Sequence, residues 1–93
     1  MYSAKWLQKL ADSADLTGET LPGVPILEIA GDSRVLIEQH EGVLQYSREE
    51  IGIRVSYGIV VVHGCNLELM KMTKEQLVIS GQIDCVALQR KGR

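Results

Sequence analysis

The chain has 93 residues, enough for one domain with a modest core and no more. Ten basic and twelve acidic residues leave a formal charge of −2, so there is no basic excess of the kind that marks a nucleic-acid binder. No segment approaches the ~20 consecutive apolar residues that cross a bilayer as a helix, and the start of the chain lacks the apolar core of a secretory leader.

Residues 3–15 predict a helix. Ser3 can cap its first turn, and Trp6, Leu10 and Ala14 form one stripe with Leu7 and Ala11 beside them. A helix this short needs a surface to lie on, either its own domain or a partner. Trp6 and Leu10 are therefore candidate interaction residues. Gly18, Pro22, Gly23 and Pro25 then break the pattern, so residues 1–20 read as helix and linker.

From Ile26 the rhythm changes to period two, with a turn about every nine residues. Strands are expected at 26–30, 35–40, 43–46, 51–57, 59–63, 67–72, 77–79 and 83–87. The turns between them are Gly31-Asp32-Ser33, Glu41-Gly42, Ser47 to Glu50, Tyr57-Gly58, Gly64-Cys65-Asn66, Thr73-Lys74-Glu75 and Ser80-Gly81. With no Phe in the chain, the core must be built from Val, Ile and Leu, which also favour strands. The expected fold is mainly β: about eight short, mostly antiparallel strands in a sandwich- or barrel-like meander over residues 21–89, with a tail at 90–93. Short strands with Gly and Asn turns also suit a β-solenoid.

Chemistry is hard to place on this pattern. The two histidines, His40 and His63, have no nucleophile marked by context, so the chain reads as a non-enzyme. His63 and Cys65 stand two apart around a turn, but a third clear metal ligand is missing. The glycines are dispersed one per turn, which leaves no phosphate cradle and no reason to expect a cofactor. The two cysteines read as reduced thiols, Cys85 packed as a small hydrophobe and Cys65 exposed in its turn. His40 and Tyr46 flank the Glu41-Gly42 turn and are candidate interaction residues. Three roles stay open: assembly or partner binding through the sheet, a small ligand-binding or regulatory domain around His40, and a membrane-surface adaptor held by the Trp6 helix.

Leu21-Pro22, the Gly31 turn, IEQHEGVLQY (37–46), EEIGIRVSYG (49–58), VVHGCNLEL (61–69) and EQLVISGQI (75–83) follow one another in an order and spacing that resemble the YabP/YqfC family of sporulation proteins. The resemblance covers residues 21–88. The chain departs from the family pattern at Gln39, where Asn is usual, and at Gly52, where a basic residue is common. The resemblance implies a role in endospore formation on the mother-cell side, in the cytoplasm. It also implies a protein partner, a membrane protein of the YqfD type, alongside possible homo-oligomers. It implies no active site.

Overall fold

The computed structural model describes residues 23–91. The expected helix at 3–15, with Trp6 and Leu10, lies outside the described residues. Six strands follow one another: β1 (Ile26–Ala30), β2 (Arg34–Glu38), β3 (Val43–Tyr46), β4 (Glu50–Val55), β5 (Gly58–Met72) and β6 (Gln76–Arg90). They form one antiparallel sheet in the order β1-β2-β6-β5-β4-β3. A mainly β fold is what the alternation predicts, but the count, the order and the architecture differ from the expectation.

The count drops from eight to six because two expected turns lie inside strands. Gly64-Cys65-Asn66 and Ser80-Gly81 are bulges that bend β5 and β6 without ending them. Gly64 and Gly81 face each other's strands there. A Cβ on Gly64 would stand 1.8 Å from the Gln82 carbonyl oxygen, and one on Gly81 (φ +136°) would stand 2.6 Å from that of Asn66. Glycine and Asn (Asn66, φ 51°) mark a bulge as readily as a turn, which is why the sequence reads as a break.

The order differs at Glu41-Gly42, which does not close a β2–β3 hairpin. Glu41 donates its N–H to the Arg54 carbonyl, and Arg54 donates to the Gly42 carbonyl, so the segment is claimed by β4. β2 instead pairs with β6, from Arg34 opposite Ser80 to Glu38 opposite Gln76. This crossover rules out a simple meander, and the antiparallel pairing rules out stacked solenoid coils.

The crossover also sets the curvature. β2 and β3 stand four places apart in the sheet, which would be about 19 Å if it were flat. The five chain steps from Glu38 to Val43 reach at most about 17 Å, and positive φ at Gln39 (66°) and Gly42 (115°) shortens them further. β5 makes the same demand more strongly. Straight, its Ile59 and Met72 would lie about 43 Å apart. Yet Arg54, the partner of Ile59, bonds Glu41 and Gly42, while the Thr73 carbonyl takes the ring of His40 next door. The long β5–β6 hairpin is therefore folded over at its bulges.

Folding the hairpin closes the inner face. Val35, Ile37, Ile51, Ile53, Val60, Val62, Leu67, Leu77 and Ile79 are fully buried in a single cluster drawn from β2, β4, β5 and β6. Among the described residues, none that is buried is polar or charged. Each side chain of this kind contributes about 1.5–3 kcal/mol on leaving water. Val61, on the outer face of the same strand, is also buried, at 6% exposure. Val60, Val61 and Val62 are thus covered on both sides, as the unbroken apolar run implies.

Candidate functional site

The crossover, residues 39–42, joins the two ends of the folded sheet, and His40 is its centre. The His40 Nδ1 accepts the Gly42 N–H at 3.0 Å, because a backbone amide can only donate. Its Nε2 then carries the proton and donates to the Thr73 carbonyl at 2.8 Å. Gln39 N–H adds a bond to the Glu75 carbonyl at 2.8 Å. Glu38, at the end of β2, takes the Gln76 side-chain amide at 2.9 Å. The ring of His40 is a clasp between the crossover and the β5–β6 turn, and both its nitrogens are occupied. A shallow cavity of about 530 Å³ beside it is lined by His40, Glu41, Gly42, Met72, Thr73 and Lys74. Glu38 and Tyr46 do not line it.

Two hairpin turns, β3–β4 at the far end of β3 and β5–β6 at the clasp, are built alike. Ser47 Oγ accepts the amides of Glu49 and Glu50, and Thr73 Oγ1 accepts those of Glu75 and Gln76. Each hydroxyl holds its own turn by local bonds, as Ser and Thr do outside regular structure. Glu49 and Glu50 belong to the first of these turns.

The second histidine lies on the outer face. His63 pairs across the sheet with Glu50 on one side and Cys85 on the other. Its Nδ1 stands 3.8 Å from the Glu50 carboxylate, with both side chains about two-fifths exposed, where an ion pair is worth little. Cys85 is exposed rather than packed, because the register shift between His63 and Gly64 turns it to the outer face while Ile83 stays in the core. Cys65 is exposed, as its place at the bulge implies. Among the described residues no three His, Cys, Asp or Glu side chains converge to hold a metal ion.

What remains conspicuous is apolar and uncovered. Leu44 and Tyr46 on β3 are 46% and 54% exposed, and Met70 and Met72 on the far half of β5 are 57% and 53% exposed. Tyr46 was legible as an interaction candidate and Leu44 and the two methionines were not. The signal was present: at Leu69-Met70 the alternation slips by one residue, which puts Met70 and Met72 out of phase with Leu67 and Leu69. Among the described residues no helix is long and apolar enough to cross a membrane.

The model of the YabP family matches residues 24–93. A curated relative, "Uncharacterized protein YqfC" of Bacillus subtilis (strain 168), is 24% identical over 81 residues, which is 87% of this chain and 84% of the relative. No solved structure matches.

Proposed function

The chain belongs to the YabP family, and from that premise we propose that it is a non-enzymatic sporulation protein that works by binding a protein partner. The family supports the process. The mechanism rests on one observation: Leu44, Tyr46, Met70 and Met72 are large, apolar and uncovered, while the His40 ring has both nitrogens engaged in holding the crossover. Exposed apolar clusters on a small domain are what protein interfaces are made of. A membrane protein of the YqfD type is the partner we propose, and its cytoplasmic face in the mother cell the place. The ligand-binding alternative loses its central residue, since His40 has no free ring nitrogen to offer.

The test is genetic and biochemical together. Removal of the gene from its endospore-forming host is expected to lower the yield of heat-resistant spores and to leave vegetative growth unchanged. The tagged chain should retain a membrane protein from sporulating cells and none from growing ones. Equal slowing of growth and sporulation, or normal spore yield, would contradict the reading.

A further inference from the structure

The His40 clasp depends on the charge of its ring, and the hydrogen bonds say which charge it needs. The Gly42 N–H lies 3.0 Å from Nδ1, and a backbone amide has only a proton to give. Nδ1 must therefore offer a lone pair, which the neutral ring alone supplies. The one ring proton sits on Nε2 and points at the Thr73 carbonyl, 2.8 Å away. A second proton has one place to go, Nδ1, where it meets the proton of Gly42. An attraction between donor and acceptor becomes a contact between two donors. Histidine is the side chain that takes up such a proton between about pH 5 and 8.

The charged groups around the ring do not offset that loss. Glu41 and Lys74 stand with it on the wall of the shallow cavity, and Glu38 ends β2 just before the crossover. Glu75 lies in the facing turn, Lys71 precedes that turn on β5, and Arg54 of β4 holds Glu41 and Gly42 through its backbone. Among the described residues none of the three carboxylates forms an ion pair with the ring. Glu38 instead accepts the Gln76 side-chain amide. Lys71, Lys74 and Arg54 carry the same sign as a protonated imidazole.

The backbone bonds confine what can move. The Gln39 N–H is tied to the Glu75 carbonyl at 2.8 Å, and Glu41 and Gly42 are tied to Arg54, whatever the charge on the ring. The parts free to respond are the ring itself and the Gly42 N–H. Both nitrogens belong to one rigid ring, so a rotation that takes Nδ1 off Gly42 also draws Nε2 off Thr73. That removes the tie between the His40–Gly42 wall of the cavity and the wall made by Met72, Thr73 and Lys74.

We propose that His40 is an acid-sensitive latch: its neutral ring fastens the crossover to the β5–β6 turn, and a second proton at Nδ1 frees the Gly42 amide and lets the two walls part. The latch is closed at high pH and opens as pH falls, while the core, which holds no titratable side chain among the described residues, stays as it is. This device goes beyond the partner-binding reading and does not rest on it.

The test uses the ¹⁵N-labelled full chain between about pH 8 and about pH 5. At the upper end, imidazole ¹⁵N shifts should show His40 with its proton on Nε2 and a bare Nδ1. As the ring titrates, exchange of the Gly42 amide, corrected for the intrinsic effect of pH, should speed up about fivefold to tenfold, the factor that one ordinary hydrogen bond supplies. The amides of Ile53 and Val60 should keep their protection. In His40→Ala the Gly42 amide should exchange fast at both ends with no step, and in His63→Gln the step should remain. The proposal is overturned by a proton on Nδ1 at pH 8, by a corrected Gly42 rate that does not change with pH, by a step that survives His40→Ala or disappears in His63→Gln, or by equal loss of protection at Ile53 and Val60, which would be acid unfolding of the whole domain. The tautomer and the Gly42 rate are read on the unaltered chain, so the outcome stands even if a variant fails to fold.

Discussion

The two halves of β5 are one strand by hydrogen bonding and two regions by environment. Residues 58–63 have β4 on one side and β6 on the other, and Val60, Val61 and Val62 are all buried. Residues 68–72 have β6 alone, and Met70 and Met72 are more than half exposed. The near half is paired on both margins, and its three central valines are covered on both faces. The far half is paired on one margin only. A strand of this chain is therefore core at one end and an exposed margin at the other, with the bulge at 64–67 dividing the two.

The sharpest way to break this contrast is to remove volume from the near half. Ile53 is fully buried opposite Val60, and Ile53→Ala is expected to cost about 3–4 kcal/mol in denaturant unfolding. The dividing bulge comes next. Gly64→Ala and Gly81→Ala each push a Cβ into a carbonyl of the facing strand and should cost on the order of 3 kcal/mol. If either variant unfolds like wild type, the close approach of the two strands at the fold is wrong. His40→Ala removes both bonds of the clasp and should cost about 1–2 kcal/mol, with exchange of the 39–42 and 73–76 amides accelerated and the core amides unaffected. The smallest effect belongs to the far half: Met70→Lys should change stability by less than about 0.5 kcal/mol while it weakens partner binding.

The same contrast decides what was legible in the sequence. Alternation at Ile51, Ile53 and Val55 and the unbroken run at 59–62 placed the near-half core correctly, since burial and period are the same fact. The local turns at Ser47 and Thr73 were legible because the side chain and its backbone partners are sequence neighbours. Four things were not. Glycine and Asn at 64–66 signal a special backbone angle, and a bulge satisfies it as well as a turn does. Glu41-Gly42 reads as a hairpin because its true partner, Arg54, lies twelve residues away and beyond any local pattern. The bare margin of the far half depends on how far β4 extends along β5, which is a matter of strand length and register. His40 stands out in the sequence as a lone polar ring, and its clasp required Thr73, more than thirty residues on, to be recognised.

Amide hydrogen exchange, read residue by residue along β5 in the free chain, tests the central claim most directly. Amides of 59–63 should be protected to the level of global unfolding. In 68–72 the amides that point to β6 should be protected less, and those that point away from it should exchange as open chain. Uniform protection along β5 in the free chain would mean that β3 closes against it, leaving no margin for a partner to join.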